Sequence, residues 1–391
     1  MRRLRVVAPG DGVLGELRAA LAGGDAILVA PQAAGASGAA AAGATDLDLP
    51  RAVERRVALV VQTSGSTGRP KRVALSADAL LANAAASESA LGGPGQWVLA
   101  VPTHYIAGLN VLARSLAAET EPVTAHGDHF TAAAFLDAVE RMSHPTRFTS
   151  LVPAQLATLL DDPRASAALA GFAAVLVGGQ ASPRALLDRA AQAGIRVRRS
   201  YGSSETSGGC VYDGVPIGAT TVKLVGGEVW LGGPSLAEGY LGDPELTAER
   251  FVHEAGVLWF RTADGGQLAT GSDGDRLTVT GRRDDVLISG GVKVALAAVE
   301  RVLRELPGFG DAVVVAVPDE RWGEVPVVVV GEDGAGHPAI RNEDRARAAI
   351  VAELGVAARP ARFIRLDTLP LLSSGKVDRL AVRTIALGAP R

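Results

Sequence analysis

Along the first 200 residues, short apolar runs alternate with stretches whose apolar positions recur at helical spacing. "VALVV" (57–61) reads as a strand, and "SADALLANAAASESA" from Ser76 as a helix with a serine cap. The order then repeats. "WVLAV" (97–101) precedes "GLNVLARSLAA", "RFTSLV" (147–152) precedes "AQLATLL", and "AAVLVGG" (173–179) precedes "SPRALLDRAAQAG". The last of these helices is expected to open at Ser182 and Pro183 and to stop at Gly194. Strand followed by helix, several times over, predicts an α/β domain with a largely parallel sheet. The Ala/Gly-rich stretch 31–50 reads as a surface connection.

Beyond residue 210 the pattern changes. "TVKLVGGEVWLGG" and "GVLWFRT" followed by "GDRLTVTG" alternate strands with turns, which predicts a β-rich subdomain. "GRRDDVLISGGVKV" (281–294) is polar and glycine-punctuated, as a linker or hinge would be. After it come a helix ("ALAAVERVLREL"), two strands ("DAVVVAV", "VPVVVV"), a helix ("EDRARAAIVAEL"), a strand ("RFIRL") and a helix after Lys376. The expectation is an α/β protein: a large domain of α/β layers plus the β-rich subdomain over 1–281, and a small α+β domain over 282–391.

The 391 residues are enough for two domains with substantial cores. A formal charge of −3 gives no electrostatic case for nucleic acid or an anionic membrane. No apolar run approaches the roughly 20 residues of a membrane span, and the arginine-bearing start lacks the apolar core of a secretion signal. Cys210 is the one cysteine, which leaves no intramolecular disulfide and no zinc cluster. A cytoplasmic protein is expected, with homo-oligomerisation left open. Lysine occurs four times, at Lys71, Lys223, Lys293 and Lys376, within 39 basic residues. Where arginine is the general surface cation, a retained lysine suggests a need for a compact ammonium.

"TSGSTGRPK", Thr63 to Lys71, places glycines and hydroxyls directly before a fixed cation. It is not the Walker loop, because no hydroxyl follows the lysine and the glycine spacing differs. Backbone N–H groups freed by glycine, hydroxyl donors and a mobile cation still make a phosphate cradle. A plain strand-to-helix connection is the bland alternative.

This stretch resembles the signature loop of the adenylate-forming superfamily of acyl-CoA synthetases, luciferases and peptide-synthetase adenylation domains. Further motifs resemble that family in order: "VGGQA" (177–181), "YGSSE" (201–205), "RTAD" (261–264), "GRRDDVLISGGVKV" and "PLLSSGKVDR" (370–379). Ser204 stands where the family has threonine, and Ala263 where it has glycine. The resemblance covers about residues 57–380.

It implies ATP, Mg²⁺ and CoA as reactants and cofactor. Thr63, Ser64, Gly65, Ser66, Thr67, Gly68 and Lys71 would hold phosphates, with Glu205 and Thr67 at the metal. Gly178, Gly179 and Gln180 would line the adenine side, and Tyr201, Gly202, Ser203 and Ser204 would also bind the nucleotide. Asp264 would accept the ribose hydroxyls, Arg282 would contact the ribose–phosphate side, and Lys376 would bridge the attacking carboxylate and the α-phosphate. Asp284 is the implied hinge of a mobile C-terminal domain, and Ser289, Gly290 and Gly291 the implied CoA tunnel. By themselves, Asp264 suits a turn ("ADGG"), Glu205 a cap, and Lys376 a solvated cation.

The segment "VPTHYIAGLNVLARSLAA" (101–118) resembles the acid-binding motif of o-succinylbenzoate–CoA ligases of menaquinone synthesis, especially short actinobacterial-type members. Aligned on Gly108, Tyr105 takes the usual histidine position and His104 the usual phenylalanine. The substrate this implies is a small dicarboxylic acid whose second carboxylate needs a cation. Arg114 is the candidate, or an ordinary exposed arginine. Cys210 reads as pocket-wall packing. Three alternatives stay open: another aryl- or acyl-CoA ligase, an adenylation enzyme loading a carrier protein, and a non-catalytic nucleotide-binding regulator.

Overall fold

The computed structural model describes residues 1–30, 49–63, 71–125, 129–271, 274–331, 342–372 and 376–389. Ser64, Gly65, Ser66, Thr67 and Gly68 lie outside them, as does nearly all of the 31–50 connection.

Four sheets organise the described residues. The first runs Gly239–Tyr240, Lys71–Ser76, Val57–Thr63, Ala26–Val29, Arg2–Val7, Ala52–Val53. The second runs Val215–Pro216, Gly208–Tyr212, Val197–Ser203, Ala174–Gly178, Arg147–Leu151, Gln96–Leu99, Val123–Thr124. Its last five strands are parallel, as the repeated strand–helix order predicts. The helices Val13–Leu21, Ala77–Leu91 and Ile106–Ala117 contribute to the core shared by these sheets. There Leu59 and Leu75 of one sheet join Trp97, Phe148 and Leu176 of the other through Leu80, Leu109 and Leu112. Each such side chain contributes about 1.5–3 kcal/mol on burial. Ser76 caps Ala77–Leu91 by accepting from the Ala79 N–H at 3.2 Å. Phe135, Leu156 and Phe172 form a second core with the other side of the parallel strands.

Two expectations are corrected. The signature loop does not join a strand to a helix: Lys71–Ser76 is itself a strand, antiparallel to Val57–Thr63, with Thr63 paired to Lys71. The two described ends of the stretch are thus held side by side by the pairing of Thr63 with Lys71. The helix expected at Ser182 begins only at Arg184, with Pro183 in the cap position and no side-chain cap bond.

The third sheet is antiparallel: Thr221–Val225, Glu228–Gly232, Val257–Gly271 and Phe251–Glu254, with Gly274–Arg282 paired to Val257–Gly271. The chain then crosses to the fourth sheet within three residues, between Arg282 and Val286. Most of the stretch read as a linker is strand, the end of Gly274–Arg282 and then the hairpin Val286–Ser289 with Val292–Ala295, so only the crossing residues 283–285 and the hairpin turn lie outside strands. Gly323–Gly331, Val313–Asp319 and Arg362–Leu366 complete the small α+β domain, packed by Leu296–Arg304, Glu343–Leu354 and Arg379–Gly388. Among the described residues, no helix is long and apolar enough to cross a membrane.

Candidate active site

Ends of separate strands converge on one cleft of about 470 Å³, counting space open to solvent. Lys71, Glu205, Tyr240, Arg250, Asp264 and Arg282 contribute its charged and hydroxyl groups, and Tyr201, Gly202 and Ser203 form part of one wall. Lys71 starts its strand with the ammonium 5.8 Å from the Tyr240 ring centre. Glu205 sits on a single turn, Ser204–Thr206, directly after the strand Val197–Ser203.

Sequence reasoning missed the partner of Glu205. The Tyr240 hydroxyl donates to Glu205 Oε1 at 2.8 Å, and burial pushes the phenol's pKa well above its usual range, with Glu205 adding to the rise. The tyrosine therefore stays a donor and fixes the carboxylate. No group of three or more acidic, histidine or cysteine residues gathers among the described residues. One oriented carboxylate in a cleft it shares with Lys71 fits Mg²⁺, which usually binds through one or two carboxylates plus phosphates and water. Thr67, the other expected ligand, lies outside the described residues.

Asp264 accepts a hydrogen bond from the Tyr201 hydroxyl at Oδ2 (2.7 Å), while Oδ1 stands 3.6 Å from Arg282 Nη1. Burial raises the Asp264 pKa, and Tyr201 and Arg282 oppose the rise. Arg282 also grips Asp284 with two bonds, at 2.9 and 2.6 Å, which hold the Asp284 carboxyl below its usual range. Asp264 is aimed from beneath by a residue the motifs did not reveal. Buried Glu228 accepts from the Ala263 backbone N–H at 3.1 Å and from the Trp230 indole at 3.1 Å, and pairs with Arg261 at 3.3 Å.

Ala263 has φ +61°, the left-handed region that suits glycine. For an L-residue that conformation costs about 1–2 kcal/mol, offset in part by about 0.4–1 kcal/mol from a less flexible unfolded chain. Ala263→Gly is expected to stabilise the protein by a net ~0.5 kcal/mol or more. Differential scanning calorimetry checks this. A lowered melting temperature would mean that the Ala263 methyl contributes packing that outweighs the strain.

Lys376 arrives from the small domain. A Cβ built on Gly179 (φ +86°) would stand 3.1 Å from Lys376 Cε, so glycine leaves the path that the lysine uses. Desolvation lowers the Lys376 pKa below the ordinary 10.5, and Glu205 partly opposes this. Gly178 ends the strand Ala174–Gly178 and pairs with Ser200, with Gly179 and Gln180 exposed just beyond it. Ser204 is buried. Ser289, Gly290 and Gly291 are not brought to the cleft: they form the turn of the small-domain hairpin, where the Gly290 N–H donates to the Trp322 carbonyl at 2.8 Å.

A second set of polar groups lies between Ala77–Leu91, Ile106–Ala117 and the strand Gly208–Tyr212 that follows the Glu205 turn. Asn83 donates to the Gly209 carbonyl of that strand (2.9 Å), and Asn110 to the carbonyl of Ser207 just before it (2.7 Å). Gly108 lets the second helix start tight against the chain before it, since a Cβ there would come within 2.3 Å of the Pro102 carbonyl. Arg114 is 6% exposed. Its guanidinium lies 5.0 Å from the Trp97 ring centre and donates to Tyr212 Oη at 3.3 Å, which shares a 2.8 Å bond with Ser87. Its Nε has no partner, and among the described residues no carboxylate pairs with it. The exposed-arginine reading is thereby corrected. His104 stacks on Tyr105 at 4.1 Å, and both of its ring nitrogens are buried without partners. Desolvation lowers its pKa. The Cys210 thiol is buried, its pKa pushed up to about 12 by desolvation.

Comparison with known proteins matches residues 18–241 to the family model "AMP-binding enzyme" and residues 298–376 to "AMP-binding enzyme C-terminal domain". A Mycobacterium tuberculosis protein named "Probable 2-succinylbenzoate--CoA ligase" is 44% identical over 334 residues, covering 84% of this chain and 85% of that protein. The structure of Bacillus subtilis o-succinylbenzoate CoA synthetase with the acyl-adenylate intermediate OSB-AMP superposes with TM-score 0.69 at 26% identity, over 86% of this chain and 69% of that one. The same synthetase with ATP and magnesium superposes with TM-score 0.67 at 26% identity, over 84% and 70%.

Proposed function

Because the chain belongs to the AMP-binding enzyme family, we propose that it is an ATP- and Mg²⁺-dependent acid–thiol ligase for o-succinylbenzoate. In the first step the acid's carboxylate attacks the α-phosphorus of ATP, forming the acyl-adenylate and releasing pyrophosphate. In the second, the CoA thiol attacks the acyl carbon and AMP leaves. The observation that carries this reading is Lys376: a cation delivered by the small domain reaches the Gly179 edge of the large domain, near Glu205. The reading places the enzyme among cytoplasmic reactions of menaquinone synthesis.

Lys71 and the preceding loop hold the β- and γ-phosphates, Asp264 takes ribose hydroxyls at the oxygen Tyr201 leaves open, and Arg282 sits beside it. Mg²⁺ held by Glu205 would neutralise phosphate charge. Arg114 meets the second carboxylate, since a buried guanidinium without a counter-ion is costly until an anion joins it. His104 and Tyr105 form the wall of the acid site beside Gly108.

Pyrophosphate release with a panel of carboxylic acids, with and without CoA, tests the assignment. CoA-dependent turnover of o-succinylbenzoate supports it. Turnover of medium-chain fatty acids alone would overturn the substrate, and release of the acyl group only to a carrier-protein thiol would overturn the acceptor.

Thioester formation needs the small domain turned so that Ser289–Gly291, now away from the cleft, approaches it. Asp284, at the crossing between the third and fourth sheets, is the hinge in this reading. Asp284→Pro restricts φ there and also removes the Arg282 partner. Adenylation is expected to fall a few-fold, from a lost charged bond of about 1.5 kcal/mol or less at this half-exposed pair. Thioester formation is expected to fall by ~10²-fold or more. Asp284→Ala separates the two effects, because it loses the bond and keeps the rotation. Equal loss of both half-reactions in the proline variant, measured by single-turnover assays, would rule out the hinge.

A further inference from the structure

The small domain contains a charge cluster around one buried carboxylate, which the motifs do not explain. Glu300, on the helix Leu296–Arg304, is 2% exposed. Arg379 Nη2 donates to both of its oxygens, at 2.6 and 2.8 Å. Arg304 adds a bond at 2.8 Å and the Val314 N–H another at 2.9 Å. The other terminal nitrogen of Arg379, Nη1, stands 3.4 Å from Asp285 Oδ2 and 3.4 Å from the Val314 carbonyl. Two carboxylates and two guanidinium groups thus balance in one cluster, and Arg379 is the member that touches both acids.

Its location gives the cluster meaning. Arg379 opens the helix Arg379–Gly388, capped by Asp378, three residues after Lys376. Asp285 is the residue after Asp284 and accepts the Leu296 N–H through its carbonyl at 3.0 Å. The Lys376 segment is closed locally by two backbone bonds, Leu372 N–H to the Lys376 carbonyl and Asp378 N–H to the Pro370 carbonyl, both 2.8 Å. Without Arg379, side-chain links from this segment to the crossing point would be missing from the cluster. By contrast the hairpin carrying Ser289–Gly291 is held by its own strand pairing and by the pairing of Ser289 with Gly323.

We propose that Arg379, anchored on Glu300, is a positioning residue that locks the Lys376 segment to the first residues after the hinge, so that lysine and hinge move as one lever. The lever has no slack, and rotation at Asp284 inserts or withdraws the Lys376 ammonium as a unit. The proposal rests on the adenylating role of Lys376.

The test uses full-length Arg379→Met, Arg379→Lys and Glu300→Gln beside Lys376→Ala. Three readouts are taken: pyrophosphate exchange, thioester formation from supplied acyl-adenylate, and thermal melting. A displacement of about 1 Å at a reacting group can cost ~10²-fold. Arg379→Met and Glu300→Gln are expected to lose about 10- to 100-fold in the adenylation kcat, with the ATP KM and the thioester step within about threefold of wild type. Arg379→Lys, which can pair with one acid and not bridge both, is expected to recover part of the adenylation rate. Loss of both half-reactions together in Arg379→Lys, or wild-type adenylation in Arg379→Met, overturns the proposal. If Lys376→Ala itself adenylates normally, the function assigned to that lysine fails instead. If Lys376→Ala fails and the Arg379 variants do not, only the lever is wrong.

Discussion

Lys376→Ala is expected to lose acyl-adenylate formation by ~10²–10³-fold, the cost of about 2.7–4 kcal/mol for one preorganised transition-state contact. The first half-reaction drives a carboxylate toward a triphosphate. Two unit charges 4 Å apart repel by about 1 kcal/mol in water and about 4 kcal/mol at an effective dielectric near 20. Catalysis of such a step is positioning and charge neutralisation. Lys71, Arg250 and Arg282 line the cleft independently of Lys376, so ATP should still bind the variant. The loss should fall in kcat, and conversion of supplied adenylate to thioester should survive. Desolvation also lowers the Lys376 pKa, which predicts an alkaline fall in kcat/KM for adenylation below the ordinary lysine range. That limb reports the free enzyme, and loses its lysine component in Lys376→Arg. Single-turnover adenylation and its pH profile measure both. A near-normal rate in Lys376→Ala would remove the mechanism proposed above.

The motifs were legible because they place chemistry at short range in the chain: a hydroxyl-rich loop before Lys71, Glu205 beside Tyr201, Asp264 after Arg261. What holds them was not. Tyr240 reaches Glu205 across 35 positions and Glu228 reaches Ala263 across another 35, and no local pattern marks either pair. Strand Lys71–Ser76 was hidden for a different reason. Its residues Val73, Ala74, Leu75 and Ser76 are buried in succession, so it lacks the alternation of a half-exposed strand and runs straight into the helix cap. The hairpin after Arg282 was hidden by the reverse arrangement. Ile288 and Val292 are exposed while Ser289 is buried, and two glycines with positive φ make a turn that resembles a flexible link.

Lysine scarcity was a partial guide. Lys71 and Lys376 reach the site, whereas Lys223 is held between Trp230 and Trp259, 4.7 and 4.3 Å from their ring centres, and pairs with Glu254. A compact ammonium is useful there for packing on two rings. The elements after Asp285 could be read together because their cores draw only on residues of that stretch. The layering did not, since sequence does not show that Ala77–Leu91 and Ile106–Ala117 are shared by two sheets.

Arg114→Met should move activity and stability in opposite directions. Gly108 through Ser115 are all buried, so the arginine sits inside a helix enclosed on every side. Spacing from Gly108 identified it, but its burial comes only from the packing of Trp97 and Tyr212 around it. A buried charge with no counter-ion destabilises the ligand-free protein, and an apolar side chain of similar length removes that cost. The variant is therefore expected to be more stable without substrate, by about 1–3 kcal/mol. Its kcat/KM for o-succinylbenzoate should fall by ~30-fold or more, the cost of about 2 kcal/mol or more for truncating one partner of a buried charge pair. Most of the loss should appear in the KM of the acid, because the second carboxylate is held alike in ground and transition states. A monocarboxylic aryl acid of similar length should lose little. Thermal melting without ligand and kinetics with the two acids read these effects together. A lower melting temperature with an equal loss on both acids would make Arg114 a scaffold for Tyr212 and Ser87, and the second carboxylate would then need another partner.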